Sequence, residues 1–447
     1  MSKYNVREVA LDILLSIEKN QAFSNLLLNK SIEKHGIKGK DTGLLTEMVY
    51  GTIQRKLTLD YYLEPFIKNP KKLQDWVRVL LRLSLYQMVY LDRIPERAVF
   101  YEAVEIAKKR GHKGISSMVN GVLRTIQRNG LKSLDEIKKP LERISIETSH
   151  PLWLVERWAE QYGVEKTQGI CEANLRAPKQ SLRVNTSKFT KEEVKAQLAE
   201  EGIQVKDGLF LEEALETQKG NAVYTEAFKQ GMFTVQDESS MLVAHALDVE
   251  PNETILDSCA APGGKSTHIA ERLQHTGQVV SLDIHAHKVK LIEDQAKRLG
   301  LDNIDTKVSD SRKVQELFKD ETFDRILVDA PCTGFGVMKR KPDVKYTKTE
   351  QDVKQLARIQ ADILRAVAPL LKKGGTLVYS TCTIDQDENQ EVVYQFLQEQ
   401  KDFQFDTTFK ERMPSVLHSH VTESQIQLLP DDFQSDGFYI ASLRKKV

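Results

Sequence analysis

Four cysteines, Cys171, Cys259, Cys332 and Cys382, occur in 447 residues. None forms a C-x-x-C pair, and four are too few to staple a chain of this length, so their value lies in packing or in thiolate chemistry rather than in zinc ligation or disulfides. Cys332 follows an apolar run in Asp329-Ala-Pro-Cys-Thr-Gly-Phe-Gly336, and Cys382 follows another in Tyr379-Ser-Thr-Cys-Thr383. If the two runs are neighbouring strands of one sheet, both sulfurs overhang one pocket. A thiolate placed there can add to an electron-poor ring, and a second group can help the adduct come apart. A free thiol is mostly protonated at neutral pH, so such a site must stabilise the anion. Cys171, in a helical pattern, reads as a small buried hydrophobe, and Cys259, in a glycine-rich loop, reads the same way on its own.

That loop is Asp257-Ser-Cys-Ala-Ala-Pro-Gly-Gly-Lys-Ser-Thr267. The small residues Ala260, Ala261, Gly263 and Gly264 let a ligand approach the main chain, and the helix that follows offers free N–H groups to a carboxylate. The loop is neither G-x-G-x-x-G nor a P-loop, because Cys259 stands where the first P-loop glycine would be. Asp257 ends one apolar run, Asp283 the next, Asp310 lies just past a third, and Asp329 ends a fourth. One strand-end aspartate is usually a helix cap. Four at successive strand ends point to an adenosine-containing cofactor, with Asp283 on the ribose hydroxyls and Asp310 at the adenine edge.

These residues need a sheet to hold them. Short apolar runs at 254–258, 278–283, 304–308, 325–329 and 376–380 alternate with helical patterns at 266–274, 288–299 and 351–370. That alternation predicts a doubly wound, mostly parallel α/β sheet, with ligands beyond the carboxyl ends of its strands. Gly437–Leu443 is expected to add a final edge strand. From Val6 to about Leu141 apolar residues recur three and four apart, as in Val6, Val9, Ala10, Ile13, Leu14 and Ile17, which predicts an all-helical bundle. Between them, 146–236 mixes a Trp153/Trp158 helix with short β-rich pieces at 181–185 and 203–205, the pattern of a small α+β module.

The formal net charge is zero. It is unevenly spread: residues 1–150 hold 26 Lys and Arg against 17 Asp and Glu, and the remainder holds 38 against 47. A basic front part is suited to a polyanion, and equally to a solvated lysine-rich surface. The segment Lys339-Arg-Lys-Pro-Asp-Val-Lys-Tyr-Thr-Lys348, beside Cys332, is expected to hold RNA phosphates while a base is turned outward. No run of eighteen apolar residues is present, and the start does not read as a leader peptide, so a cytoplasmic protein free of membrane is expected.

Taken together, Asp257–Lys265 with Pro-Gly-Gly-Lys, Asp329-Ala-Pro-Cys-Thr-Gly and Ser380-Thr-Cys-Thr resemble the cofactor and two-cysteine motifs of the RNA cytosine-5 methyltransferases. The resemblance implies S-adenosyl-L-methionine as cofactor, held by Cys259, Ala260, Ala261, Pro262, Gly263, Gly264 and Lys265 together with Asp283, Asp310 and Asp329. It implies that Cys382 attacks the ring, that Cys332 assists product release, and that Asp329 and Lys265 orient the cytosine; no metal is called for. The front motifs Leu44-Leu-Thr-Glu-Met-Val-Tyr-Gly51, Leu83–Pro95, Glu102–Ala107 and Val119–Arg124 resemble a NusB-like RNA-binding domain. Within the family that attachment marks enzymes of bacterial 16S ribosomal RNA, and the middle module resembles an RRM-like segment. The expected domains are therefore 1–145 (NusB-like), 146–236 (RRM-like) and 237–447, a Rossmann-like seven-stranded methyltransferase sheet, in a monomer acting on 16S ribosomal RNA. A transfer RNA, another ribosomal cytosine, or an inactive RNA-binding antitermination factor are the alternatives. The tract Phe409–Gln427 matches no pattern, and Phe100-Tyr101 departs from the small or polar residues expected there.

Overall fold

The computed structural model describes residues 4–20 and 24–447. Met1–Lys3, the beginning of the stretch read above as no leader, lies outside them. The chain divides into two compact units: Met1–Arg176 with Met338–Thr347, and Ala177–Val337 with Lys348–Val447.

The first unit is helical, as its periodicity predicts. Helices Val6–Asn20, Lys40–Gln54, Asp75–Tyr90 and Lys113–Asn129 turn Leu11, Leu45, Leu81 and Leu123 into a core with no exposed surface. Helices Leu152–Tyr162 and Val164–Asn174, expected to open the middle module, belong to this body.

Here one expectation fails. The basic segment after Cys332 is not an open phosphate-binding loop, because Met338–Thr347 packs into the first unit. Lys345 is fully buried and donates from Nζ to the Gln54 carbonyl at 3.0 Å. Tyr346 donates to the Ser149 carbonyl at 2.9 Å, and Asp343 accepts from Ser24. Burial pulls the Lys345 ammonium well below the usual lysine range. A run of charges expected to hold RNA phosphates is here structural.

The second unit contains two sheets. The smaller has strands β1 (Gln180–Val184), β2 (Gln204–Asp207), β3 (Ala214–Lys219) and β4 (Phe233–Val235), all antiparallel in the order β2-β3-β1-β4. Helices Lys191–Glu200 and Glu226–Lys229 complete a split βαβ module. The larger sheet has β5 (Thr254–Asp257), β6 (Gln278–Asp283), β7 (Ile304–Val308), β8 (Phe323–Asp329), β9 (Leu371–Thr381), β10 (Phe403–Phe405), β11 (Val421–Thr422), β12 (Gln425–Leu428) and β13 (Phe438–Lys445). Its order is β11-β12-β13-β9-β8-β5-β6-β7, with β10 pairing β13. Strands β5 to β9 are parallel. Ile326, Leu327 and Val328 in β8 are fully buried, as a strand covered on both faces requires.

Seven strands form the expected methyltransferase path, and the short β10 and β11 extend it. The last strand is not at the edge: β13 runs antiparallel between β9 and β12, pairing Ile440 with Ser380 on one side and with Ile426 on the other. The edge is supplied by the uninterpreted tract Phe409–Gln427, which forms the β11–β12 hairpin and buries Phe409 and Leu417 against the sheet.

Candidate active site

Strand order reverses at β5, whose neighbours are β6 and β8, and a crevice opens beyond such a switch point. The chain leaves β5 through Cys259–Gly264 into the helix Gly264–Arg272. Gly263 has a φ of 103°, and a Cβ there would come within 3.1 Å of the Ile292 main chain, so only glycine lets the loop pack against the neighbouring helix. Around Gly264 the space is open, the nearest atom to an added Cβ being Gln236 at 3.9 Å.

The four strand-end aspartates are not equivalent. Asp283, at the end of β6, accepts from the His285 N–H at 2.9 Å through one oxygen, and its other oxygen has no partner among the described residues. The adjoining Ile284 leaves 52% of its surface exposed, an apolar platform beside a carboxylate. Asp310 caps the turn at Arg312 and pairs with that guanidinium at 2.6 Å. Asp329 accepts from Lys265 Nζ at 2.8 Å and from Ser380 Oγ at 2.8 Å, spanning the carboxyl ends of β5, β8 and β9.

Asp257 does not face the crevice. It is fully buried and accepts from Ser266 Oγ at 2.6 Å, so it fastens the start of the following helix to its strand. Burial pushes its carboxyl up to about 7, Ser266 opposing and Asp329 adding. The folded protein then keeps a proton that the unfolded chain has released from about pH 4 upward. Stability from this group therefore falls as pH rises through about 7. Asp257→Asn is expected to flatten that fall, seen as a Tm nearer constant between about pH 5 and 8 than that of the parent. An unchanged pH slope would show that Asp257 is ionised in the fold.

The two cysteines meet. Cys332 Sγ lies 3.4 Å from Cys382 Sγ, both partly exposed, across the ends of β8 and β9. Contact with Cys382, then burial, then the charges of Glu388 and Asp329 hold the Cys332 thiol well above the usual range. The Lys265 ammonium is pulled down by burial, but Asp329, with Cys382 and Asp257, outweighs this and holds it above the ordinary lysine value. The pair therefore has one member kept as a thiol and a fixed cation beside the other. The ring of Phe438, from β13, lies 5.0 Å from the same Nζ.

Several residues of this site carried no sequence signal. Glu388 accepts from the Thr333 N–H at 2.9 Å and from Thr333 Oγ1, on the residue after Cys332. Gln360 Nε2 donates both to Glu388 and to the carbonyl of Pro331, on the residue before it. The Cys332 turn is thus gripped from both sides. Burial pushes the Glu388 carboxyl up to about 7. In sequence Glu388 is one acid among Asp385, Asp387 and Glu388, indistinguishable from a solvated loop. Ser380, two residues before Cys382 at the β9 terminus, gains its role only in the fold, where it donates to Asp329.

The chain is similar to known proteins along its whole length. Residues 244–444 match the family described as 16S rRNA methyltransferase RsmB/F, residues 4–128 the NusB family, and residues 150–224 the ferredoxin-like domain of RsmF/B-like methyltransferases. The chain is 55% identical, over the full length of both, to a probable ribosomal RNA small subunit methyltransferase B of Bacillus subtilis. It is 34% identical to the ribosomal RNA small subunit methyltransferase B of Escherichia coli O7:K1, with 99% of each covered. The crystal structure of PH0851 superposes with a TM-score of 0.83 at 27% identity, covering 98% of each chain. By identity along its whole length, the chain belongs to the ribosomal RNA small subunit methyltransferase B family.

Proposed function

We propose that this methyltransferase modifies carbon 5 of a cytosine in 16S ribosomal RNA through a covalent bond between Cys382 and the ring. The carrying observation is the 3.4 Å approach of Cys332 and Cys382 at the ends of adjacent parallel strands, with the Lys265–Asp329 pair beside them. The donor is S-adenosyl-L-methionine, which when bound supplies an electrophilic sulfonium methyl group. The open main chain at Gly264, the unpaired oxygen of Asp283 and the exposed Ile284 fit its carboxylate, ribose and adenine respectively. Asp310 keeps acceptor capacity for an adenine amino group while paired with Arg312.

Carbon 5 of cytosine is a weak nucleophile. Addition of the Cys382 thiolate to carbon 6 pushes electron density onto carbon 5 and makes it reactive. Lys265 stabilises the thiolate by its charge, and Asp329 fixes the ammonium while offering the ring amino group an acceptor. After methylation a base takes the carbon 5 proton, the C–H electron pair restores the carbon 5–carbon 6 double bond, and the Cys382–carbon 6 bond breaks with its own pair returning to sulfur. Cys332, held as a thiol 3.4 Å away, stands where it can stabilise the departing thiolate.

Lys265→Met is expected to lower kcat by about 10²-fold, the scale of one lost electrostatic stabiliser. The ascending limb of its pH–rate profile should move to higher pH, because the cation that favours the thiolate is gone. A limb at the parental pH would remove Lys265 from thiolate activation. The proposal as a whole is tested by bisulfite mapping of 16S ribosomal RNA methylated by the purified protein. A protected cytosine dependent on both protein and donor is expected, and methylation confined to another atom or another RNA would sink it.

A further inference from the structure

Arg183 lies on β1 of the smaller sheet, and no part of the proposed chemistry uses it. It is fully buried, and all three guanidinium nitrogens are engaged by residues at or near the donor loop. Nε and Nη2 bond the two oxygens of Glu271 at 3.1 and 2.8 Å. Nη1 donates to Gln236 and, at 2.7 Å, to the carbonyl of Gly264; Nη2 also reaches Thr267 Oγ1 at 3.1 Å. Thr267 Oγ1 in turn donates to the Gly263 carbonyl at 2.8 Å. Both glycines whose main chain borders the donor crevice are therefore held, one directly and one through Thr267, by a side chain of a different sheet.

A buried ion pair contributes little to stability compared with apolar packing of the same volume. What a planar guanidinium does better than a hydrophobe is fix several acceptors at set angles. Here those acceptors are the Gly264 carbonyl, Thr267 Oγ1, Gln236 and the Glu271 carboxylate, so one side chain ties the turn immediately before Lys265 to the body of its helix. A shift of that turn moves the donor-facing main chain and the lysine together. The same helix is tied to the module a second time, where Glu213 accepts from His245 at 2.7 Å and lies 3.3 Å from His268.

We propose that Arg183 is a positioning residue for the methyl donor: from the α+β module it sets the Gly263–Gly264 turn, so that the module is part of the donor site. This rests on the donor site described above and not on the cytosine chemistry.

The test measures S-adenosyl-L-methionine binding to the full chain by calorimetry, without RNA, alongside Tm. Arg183→Met combined with Glu271→Gln removes the contact without leaving a buried charge unpaired. Its Kd is expected to rise about tenfold or more, the weight of one charge-assisted hydrogen bond. Glu271→Gln alone keeps the bonds to Gly264, Gln236 and Thr267, and should bind within about twofold of the parent even where its Tm is lower. In turnover the double variant should show the rise in KM for the donor together with a fall in kcat, since Lys265 moves with the turn. Arg183→Lys, which can reach fewer acceptors, should fall between and serves where the double variant does not fold. Donor affinity that stays parental in the folded double variant or in Arg183→Lys would overturn the proposal, as would an equal loss in Glu271→Gln alone. Because no RNA is present, failure to methylate cytosine would leave this result standing.

Discussion

Cys382→Ser is expected to abolish methyl transfer, with turnover reduced by about 10⁴-fold or more, the scale seen when a covalent nucleophile is removed. A hydroxyl is a far poorer nucleophile than a thiolate unless a dedicated base activates it. Two carboxylates of the site are committed elsewhere: Asp329 to Lys265 and Ser380, and Glu388 to Thr333 and Gln360. The donor loop does not touch this change, so cofactor affinity should be that of the parent. The measurement is incorporation of labelled methyl into 16S ribosomal RNA, paired with calorimetry of donor binding. Turnover within tenfold of the parent would remove Cys382 as the nucleophile.

Cys332→Ala should have an opposite signature. The nucleophile is intact, so addition and methylation proceed, but the neighbour 3.4 Å from the departing sulfur is missing. Elimination slows, and a covalent protein–RNA species should accumulate under turnover conditions to a large fraction of the enzyme. Denaturing electrophoresis reads it as a slow-migrating band that requires donor and RNA. The double variant with Cys382→Ser should show none. A single variant that turns over normally without such a band would separate Cys332 from release.

What the sequence made legible were features set by local pattern. Runs such as Ile326-Leu-Val328 are buried on both faces and announce a central parallel strand whatever surrounds them. The Pro-Gly-Gly turn announces itself through the conformational demand at Gly263. The failures concern properties that no short segment contains. Whether β13 lies at an edge or inside the sheet depends on a hairpin formed by residues that show no clear strand alternation. Lys345 is expected among cations that meet phosphates, because lysine is usually a surface charge; the carbonyl of Gln54 receives it in the interior. Asp257 shared the strand-end position of Asp283 and Asp329, yet its side chain turns to Ser266 rather than outward. Glu388 acts through Thr333, fifty-five positions away, a pairing that only the assembled fold reveals.

The pairing distances within the larger sheet divide it into a near half and a far half. Strands β5, β6 and β7 join residues about 25 positions apart, as Leu256 with Val280 and Val280 with Asp305. The strands bearing the sulfurs join over longer spans: Leu256 with Ile326, Asp329 with Ser380, and Ser380 with Ile440. Closing the wider loops costs more chain entropy and delays non-local pairing. The β5–β7 half of the sheet is therefore closed by shorter loops than the half that brings the two sulfurs into register.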